Sequence, residues 1–484
     1  MADTWDVIVI GAGPPGENAA QYAIAGSDRT AVLVEAELVG GECSYWACMP
    51  SKALLRPVEA ADAARSLPGI PVGSVDVDAV LARRDSFTHG RDDGPQVQWA
   101  EGAGIDVVRG RGRLAGERTV VVTSPDGGER TLTARHAVVL ATGTTASIPP
   151  VPGLRECRPW TSRDVTNLRE VPRRVLVVGG GVVACEATTW LRGLGAEEVT
   201  VVEVGPRLLD RHEPFASELL AARFADLGVR VRTGSGVVSV QRPAAADTGV
   251  GRIHGGPATV ELAGGDTVEV DEVVVAAGRT PSSSDLGLSS VGVDVTGSHG
   301  YLPVDEHLTV TGVPGGWLYA IGDVNGRALL THMGKYQARI AGAVIAARAE
   351  GRPLDGTGVR DLADGTAVPA VVFTDPQVAA VGLTEASARE RGVDVETVEY
   401  DLAGVAGASL LRDGYVGRAK LVIDRAAGVV MGATFVGSDV AELLHSATVA
   451  VVGKVPLDLL WHCVPSYPTV SEVWLRLLEA RRSG

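Results

Sequence analysis

Two cysteines lie close together in this chain, and their spacing suggests redox chemistry. Cys43 and Cys48 are followed at once by Met49-Pro50-Ser51-Lys52. Two thiols at such a spacing can form a disulfide and be reduced again, so they can accept and release an electron pair. In an ideal helix their Cα atoms would lie about 8–9 Å apart, farther than a disulfide spans, so we expect a distorted helical turn between them. The spacing predicts a reducible pair, with a structural bridge or two unrelated buried thiols as the alternatives.

The remaining cysteines give no second site. The chain has 484 residues and five cysteines, too few for a disulfide scaffold. A close pair in a reducing compartment points to catalysis or metal binding, and no His/Cys cluster with zinc-ligand spacing joins the pair. We expect Cys157, Cys185 and Cys463 to be buried thiols without a chemical role.

Composition excludes several classes of partner. The first residues are acidic where a signal peptide is basic, and no apolar run approaches the ~18 residues of a membrane span. The net charge of −15 argues against nucleic acid and anionic membranes as partners. We therefore expect a cytoplasmic globular protein that binds neither nucleic acid nor membranes.

A strand–glycine–helix pattern precedes the cysteine pair. The apolar residues 6–10 run into Gly11, Gly13 and Gly16, and a second apolar run ends at Glu35. In a dinucleotide fingerprint the first glycine permits the tight turn, the second lets the backbone approach a pyrophosphate, and the third lets helix and strand touch. Glu35 then stands where a carboxylate can bind ribose hydroxyls.

The same pattern occurs a second time. The apolar residues 174–178 run into Gly179 and Gly181, Ala184 takes the third glycine position, and the next apolar run ends at Glu203. Gly11 to Glu35 and Gly179 to Glu203 both span 24 residues. One such motif is weak support, because glycine-rich turns also serve packing alone, but two copies in one register predict two dinucleotide sites.

Other segments complete the predicted organisation. Residues 243–257 are rich in glycine and alanine and predict an expanded loop on a hairpin. A short strand ends at Gly322-Asp323 before a helix over about 330–349, and residues 355–365 resemble a linker. From residue 370 onward, strand patterns alternate with helix patterns and predict an α+β domain. The expected strands are 370–374, 419–424 and 429–435, and the expected helices are 384–391, 440–451 and 470–480.

The order of these motifs resembles one enzyme family. Between the fingerprints and the Gly322-Asp323 return lie Ala141-Thr142-Gly143 and Gly278-Arg279-Thr280-Pro281. With the Cys43–Cys48 segment, this order resembles the flavin-dependent pyridine nucleotide-disulfide oxidoreductases over essentially the whole length. That group includes dihydrolipoamide dehydrogenase, glutathione reductase and mercuric reductase.

The resemblance implies a fold and cofactors. It implies an α/β protein with two Rossmann-like dinucleotide-binding domains and a C-terminal α+β dimerisation domain, and hence a homodimer. The expected boundaries are 1–159 and 281–354 for the FAD-binding domain, 160–280 for the NAD(P)-binding domain, and 365–484 for dimerisation. The implied FAD-binding residues are Gly11, Gly13, Gly16, Glu35, Lys52, Thr142, Gly143 and Asp323, and those for NAD(P) are Gly179, Gly181, Glu203 and Gly278. Asp323 has helix capping as its alternative role.

The resemblance also implies roles at the redox centre. Cys48 would face the flavin as a thiolate, since a cation or a helix N-terminus lowers a thiol pKa, and Cys43 would exchange with the substrate. Lys52 would lie beside the flavin ring and pair with Glu186. The alternative for Lys52 and Glu186 is a pair of solvated surface charges.

Two departures from the family pattern concern the substrate side. Ser44 and Ala47 replace the usual small aliphatic residue and glycine between the cysteines. Where the family has His-Pro-Thr followed by Glu, this chain has Tyr467-Pro468-Thr469 and then Glu472. A tyrosine with an ordinary pKa of about 10 accepts protons poorly at neutral pH, and loss of a general base typically costs about 10²–10⁴ in rate. Tyr467 can instead donate a hydrogen bond to a thiolate or a quinone oxygen, and His462 either substitutes for the base or is an ordinary structural histidine.

These observations give a predicted function with alternatives. We expect an FAD-dependent NAD(P)H:disulfide oxidoreductase similar to dihydrolipoamide dehydrogenase, acting on a small disulfide or dithiol. The alternatives are a reductase of quinones, metal ions or other small oxidants at the flavin, and a flavoprotein component of a multienzyme complex or a redox sensor. Glu203 favours NADH, because a carboxylate repels a 2′-phosphate, while Arg207 keeps NADPH possible.

Overall fold

The computed structural model describes residues 3–483. These residues form two compact units. The first contains the described residues up to Met49 together with Asp85–Thr145 and Arg279–Asp364. The second contains Pro50–Arg84, Ala146–Gly278 and the described residues from Gly365 onward.

The first unit is built on a sheet of seven strands. Five are parallel, in the order Ile105–Arg109, Ala31–Glu35, Asp3–Ile10, Glu129–Leu140 and Leu318–Ala320. Thr119–Thr123 and Arg111–Leu114 extend the sheet antiparallel from Glu129–Leu140. The unit's helices include Pro14–Ile24, Gly41–Tyr45, Gly94–Gly102 and Thr331–Ala349.

Both faces of this sheet are covered. Val7 and Val9 of the first strand pack in one apolar cluster, while Ile8 and Ile10 pack in another. Burial on both faces explains why the strand reads as a continuous apolar run, as parallel sheets usually do. The same arrangement brings Gly11 to the carboxyl end of the central strand.

The second unit contains a parallel sheet of similar design. Its four strands lie in the order Arg230–Thr233, Glu198–Glu203, Arg174–Val178 and Glu272–Val275, with helices Ser162–Thr166, Val182–Gly193 and Pro214–Asp226. An antiparallel sheet of Val237–Gln241, Ala258–Leu262 and Thr267–Val270 follows. Residues 242–257 connect the first two of these strands, so the predicted hairpin loop is confirmed.

The second unit also contains a five-stranded antiparallel sheet. Its order is Pro369–Val372, Gln377–Gly382, Val429–Gly437, Arg418–Asp424 and Val395–Asp401. The helices of this region are Glu385–Glu390, Ala406–Leu411, Leu444–Val452, Leu457–Leu460 and Val473–Ser483. The α+β prediction for the C-terminal region is correct, although strands 377–382 and 395–401 were not predicted.

The helix Cys48–Arg65 follows the cysteine segment, and Val77–Phe87 follows it in turn. Within residues 3–483, no helix combines the length and apolar character needed to cross a membrane.

Candidate active site

The first glycine motif forms a tight turn that no other residue type would fit. Gly11 has φ +98°, and a Cβ built there would lie 2.4 Å from the carbonyl oxygen of Ala141. A Cβ on Gly16 would lie 2.0 Å from the carbonyl oxygen of Gly11. At Gly13, by contrast, the closest described atoms lie 3.9 Å from such a Cβ. The turn is therefore closed on the protein side and open at the position where a phosphate would approach.

Glu35 fixes the shape of this turn from the neighbouring strand. Its Oε2 accepts a hydrogen bond of 2.7 Å from the backbone N–H of Ala12, and its Oε1 accepts one of 2.8 Å from that of Glu37. Burial of the carboxyl group raises the pKa of Glu35. The carboxylate lies beside the glycine turn, and its contact with a ribose stays a prediction.

The second motif repeats this arrangement. A Cβ on Gly179 would lie 2.4 Å from the carbonyl oxygen of Ala276, whereas no described atom lies within 4 Å of one on Gly181. The Glu203 carboxylate accepts hydrogen bonds of 2.5 Å from the backbone N–H groups of Gly180 and Gly205. The two copies thus agree in backbone shape and in the bonds of the terminal glutamate.

Each turn leads into a helix with available backbone donors. Helices Pro14–Ile24 and Val182–Gly193 begin after Gly13 and Gly181, and among the described residues no side chain caps either of them. Uncapped first-turn N–H groups and the helix dipole favour binding of a phosphate. Both turns therefore fit a dinucleotide pyrophosphate.

Asp323 lies in a polar cluster of the first unit. Its Oδ2 accepts a hydrogen bond of 2.9 Å from Thr144 Oγ1, and Arg279 Nε lies 3.9 Å from the same oxygen. Burial raises the pKa of Asp323. Neither the short helix Gly322–Asn325 that contains Asp323 nor the following helix Thr331–Ala349 has a side-chain cap, so the capping alternative is wrong.

Three further predicted cofactor residues occupy turns. Thr142 Oγ1 donates a hydrogen bond of 2.8 Å to the Ser282 carbonyl, and the Gly143 carbonyl accepts one of 3.0 Å from Ser282 N–H. The Gly278 carbonyl accepts a bond of 3.0 Å from Ser147 N–H. These turns hold their segments in place, and their contact with a cofactor stays a prediction.

The cysteine segment is a broken helix, as the spacing predicts. Cys43 lies in the short helix Gly41–Tyr45, which ends at Trp46 with φ −129°. A new helix begins at Cys48. The interruption brings the two residues close enough for a hydrogen bond between the Cys43 and Cys48 side chains.

Both cysteines are present as half-buried thiols. The pKa of Cys43 is raised, first by its hydrogen bond with Cys48 and then by burial. Thr331 Oγ1 lies 3.3 Å from Cys48 Sγ, and the Thr331 hydroxyl and the Lys335 ammonium both act to lower the pKa of Cys43. The pair therefore favours one thiolate at a time, since two adjacent thiolates would repel each other.

Lys52 and Glu186 form the predicted ion pair. Lys52 Nζ lies 2.7 Å from Glu186 Oε2 and 4.7 Å from the centre of the Phe373 ring. Glu186 Oε1 accepts a hydrogen bond of 2.9 Å from Phe373 N–H. The side chain of Glu186 is 4% exposed and that of Lys52 is 38% exposed, so the alternative of two solvated charges is wrong.

Tyr467 and Glu472 have different surroundings. Tyr467 is 75% exposed, and its peptide bond to Pro468 is cis. Glu472 is 5% exposed, and its Oε1 accepts a hydrogen bond of 2.5 Å from Arg476 Nη2. Within the described residues, Glu472 Oε2 has no hydrogen-bond partner. Arg476 thus engages one of the two oxygens of the Glu472 carboxylate.

The expectation for the other cysteines is wrong at one position. Cys157 and Cys185 are buried, and burial raises the pKa of Cys157 to about 11, so both fit inert thiols. Cys463 is exposed, because it follows the end of the short helix Leu457–Leu460 in an irregular segment. His462 in the same segment is also exposed.

Models of one protein family match the chain. The model described as "Pyridine nucleotide-disulphide oxidoreductase" matches residues 5–351, and that of its dimerisation domain matches residues 368–478. The chain belongs to the pyridine nucleotide-disulphide oxidoreductase family. Membership confirms the predicted fold class, the enzyme class and the use of FAD and NAD(P)H.

Individual proteins are similar to this chain in sequence or structure over nearly its whole length. Dihydrolipoyl dehydrogenase of Chlorobaculum tepidum is 34% identical, over 98% of this chain and 96% of its own. Mercuric reductase of Bacillus cereus is 30% identical, over 97% of this chain and 70% of its own. The crystal structure of LpdA from Mycobacterium tuberculosis has a TM-score of 0.83 at 26% identity, covering 100% of both chains. The flavoprotein disulfide reductase RclA of Escherichia coli shares the fold, with a TM-score of 0.80 at 24% identity over 98% of this chain and 99% of its own.

Three contacts of this oxidoreductase were not predicted from its sequence. They are Thr331 against Cys48, the Phe373 backbone against Glu186, and Arg476 against Glu472. Only the last had a local signal, because Glu472 and Arg476 are four residues apart and opposite in charge, a spacing that places them on one helical face.

Proposed function

We propose that the chain is an NAD(P)H-dependent reductase of small disulfides, working through Cys43 and Cys48 and reversible with a dithiol substrate. The observation that carries this proposal is the close approach of the two thiols at the broken helix. The resemblance to dihydrolipoyl dehydrogenases over the full chain supports a small dithiol, or the matching disulfide, as the substrate. A bound FAD supplies acceptance of a hydride from the nicotinamide and passage of its electron pair to the protein disulfide.

The two cysteines complete the exchange with the substrate. Cys43 gives up its proton as its sulfur attacks one sulfur of the substrate disulfide; the S–S bond breaks, and the first substrate thiol leaves with that proton. Cys48 then attacks the Cys43 sulfur, and the mixed disulfide breaks as the second thiol leaves. The substrate gains two electrons and the two protons of the thiols, while the protein pair becomes a disulfide.

The nicotinamide cofactor that fits best is NADH. Glu203 holds two backbone N–H groups of its turn and lies at the end of the second fingerprint. Arg207 donates instead to the backbone carbonyls of Asp210 and His212, at 2.5 and 3.0 Å. Its guanidinium is therefore engaged in its own loop, which supports NADH over NADPH.

A homodimer is part of the proposal. Several apolar side chains of the C-terminal region are exposed, including Val449, Val452, Leu459 and Val464. Such residues on the surface of one chain favour an interface with a second copy. The match to the family's dimerisation domain supports the same state, and light scattering of the holoenzyme tests it.

One observation favours a second acceptor class. Tyr467 carries a hydroxyl that can donate a hydrogen bond, and its ring is exposed, which suits a bond to a quinone oxygen better than proton transfer in thiol exchange. In that case electrons leave directly at the flavin and the cysteines are secondary.

Replacement of Cys43 distinguishes the two acceptor classes. With NADH as donor, Cys43→Ser should lose at least about 10³-fold of its rate with lipoamide and keep its rate with menadione. The exposed Cys463→Ser is the matched control and should behave as wild type. Disulfide reduction by Cys43→Ser at more than a tenth of the wild-type rate would contradict the proposal, and activity with menadione alone would favour the second class.

A further inference from the structure

Thr331 brings a hydroxyl group to the cysteine pair. Its Oγ1 lies 3.3 Å from Cys48 Sγ, so one of the two atoms donates a hydrogen bond to the other. A thiol can donate or accept, but a thiolate has no proton and can only accept. Ionisation of Cys48 therefore makes Thr331 the donor. A hydrogen bond to a charged acceptor is stronger than one to a neutral acceptor, so this contact favours the ionised sulfur.

The hydroxyl is carried by a tightly packed element, the helix Thr331–Ala349. A Cβ on Gly334 would lie 2.5 Å from Pro15 Cγ, and one on Gly342 would lie 2.5 Å from Tyr22 Cβ. The helix therefore packs closely on its neighbour over about two turns. A donor that is in place before a charge forms needs no reorganisation when the charge appears.

A buried amide fixes the same helix to the rest of the first unit. Gln337 is fully buried. Its Oε1 accepts hydrogen bonds of 2.8 Å from Gly322 N–H and of 2.9 Å from Asn325 Nδ2. These bonds hold the helix against the turn that precedes it in the chain. The position of the Thr331 hydroxyl is thus set by contacts that do not involve the cysteines.

Cys43 is a second donor to the Cys48 sulfur. The two side chains form a hydrogen bond across the break between their helices, and this bond is the largest cause of the raised pKa of Cys43. A raised pKa keeps Cys43 a thiol, and its proton can then be donated to Cys48. Thr331 and Cys43 thus approach one sulfur from two different elements.

The charged groups near the pair act in a different way. Lys52, on the helix that begins at Cys48, binds Glu186 at 2.7 Å. Lys335 lies one turn after Thr331, and its ammonium acts attractively on the thiolate of the other cysteine. The Thr331 hydroxyl also lowers the pKa of that cysteine. A test of Thr331 must therefore measure each cysteine separately.

We propose that Thr331 is a catalytic residue, whose hydroxyl donates a hydrogen bond to Cys48 Sγ and stabilises the negative charge on this sulfur as it attacks Cys43. The inference rests on the role proposed above for the two cysteines. In that attack Cys48 gives up its proton, the Cys43–Cys48 bond forms and the mixed disulfide breaks. The second substrate sulfur leaves with the electron pair of the broken bond and with that proton. Thr331 keeps its own proton throughout.

The test measures the pKa of each cysteine alone in the holoenzyme. Cys43→Ser leaves Cys48 as the only thiol of the pair, and Cys48→Ser leaves Cys43. Mass spectrometry of the peptide that carries the remaining thiol gives its rate of alkylation by iodoacetamide at each pH. Because the thiolate is the reactive form, the inflection of this rate gives the pKa without any turnover.

Thr331→Val removes the hydroxyl and keeps the branched shape of the side chain. In the Cys43→Ser background it should raise the pKa of Cys48 by about one unit, so alkylation below the pKa becomes about tenfold slower. In the Cys48→Ser background it should raise the pKa of Cys43 by less than about half as much. If Thr331→Val does not fold, Thr331→Ala removes the same hydroxyl and should give the same shift.

Two controls separate the hydroxyl from packing. Thr331→Ser keeps the hydroxyl and should leave the pKa of Cys48 within about 0.3 of its value with threonine. Thr131→Val makes the same change at an exposed position of the strand Glu129–Leu140 and should leave both cysteines unchanged.

Each contrary outcome overturns the inference. An unchanged pKa of Cys48 in Thr331→Val excludes the hydrogen bond to its thiolate. A larger shift at Cys43 than at Cys48 assigns the hydroxyl to the other sulfur. An equal shift in Thr331→Ser assigns the effect to packing. Failure of the proposed function is seen separately, as disulfide reduction retained by Cys43→Ser, and it does not change these pKa values.

Discussion

Glu472 accepts a hydrogen bond of 2.5 Å from Arg476, and this contact changes what the residue at position 467 can do. A histidine at 467 would use a carboxylate to orient it, but Arg476 already binds Oε1 of Glu472 and only Oε2 is unpaired within the described residues. Tyr467 carries a hydroxyl donor of its own and does not depend on that carboxylate. Tyr467 is therefore compatible with the Arg476–Glu472 contact, because it does not need the carboxylate oxygen that Arg476 binds.

Substitution of Tyr467 tests this relationship. Tyr467→Phe should change kcat for lipoamide by less than about threefold, since the tyrosine is not the base, whereas loss of a true base costs about 10²–10⁴. Tyr467→His combined with Arg476→Leu should exceed Tyr467→His alone in kcat, because the double variant returns Glu472 to the histidine. Steady-state assays at pH 7 measure both, and a Tyr467→Phe enzyme as slow as Cys43→Ser would contradict this account.

The Lys52–Glu186 pair should contribute to stability as well as to the site. Glu186→Ala removes the acceptor of both Lys52 and Phe373 N–H, and we expect the free energy of unfolding to fall by about 2–4 kcal/mol. Glu186→Gln keeps an acceptor and should lose roughly half as much. Urea unfolding of the two variants measures the difference, and equal losses would show that the hydrogen bonds matter less than the charge.

Glu203 should determine the choice of nicotinamide cofactor. In Glu203→Gln the repulsion of a 2′-phosphate is removed, so the ratio of kcat/KM for NADH over that for NADPH should fall at least about tenfold. The control is Glu198→Gln, which changes an exposed ion pair at the start of the same strand. Our assignment fails if wild type prefers NADPH or if both variants change the ratio equally.

Glu17 should make stability depend on pH. Its pKa rises from an ordinary 4.5 to about 7 in the folded protein. The folded state therefore binds the proton more tightly, and the stability that this gives is complete below pH 4.5 and is lost as the pH rises through 7. The loss is on the order of 3 kcal/mol, and Glu17→Gln should remove it. Urea unfolding at pH 4.5 and pH 8 measures the change, and parallel losses in wild type and Glu17→Gln would contradict it.

Local backbone demands made much of the site predictable. At positions 11, 16 and 179 a carbonyl oxygen leaves no room for a Cβ. Only glycine fits there, so the glycine pattern of the sequence indicates these turns directly. The break between Cys43 and Cys48 followed from helix geometry and the length of a disulfide.

Contacts between segments that are far apart in the sequence could not be predicted from it. Thr331 contacts Cys48 although the two residues are 283 positions apart. No motif around either residue indicates this contact. Strand Gln377–Gly382 was missed because its valines and alanines are buried on both faces and do not alternate with polar residues. The raised pKa of Glu17 likewise depends on burial of its carboxyl group. The residues next to Glu17 in the sequence do not indicate that burial.

The central claim is that the Cys43–Cys48 pair lies on the electron path. An anaerobic titration of the air-oxidised holoenzyme with NADH, with thiols counted after denaturation, tests it most directly. We predict that two new thiols per chain appear in wild type and none in Cys43→Ser. If the flavin is fully reduced after two electrons and no thiols appear in wild type, the pair is not on the path and the disulfide-reductase account is contradicted.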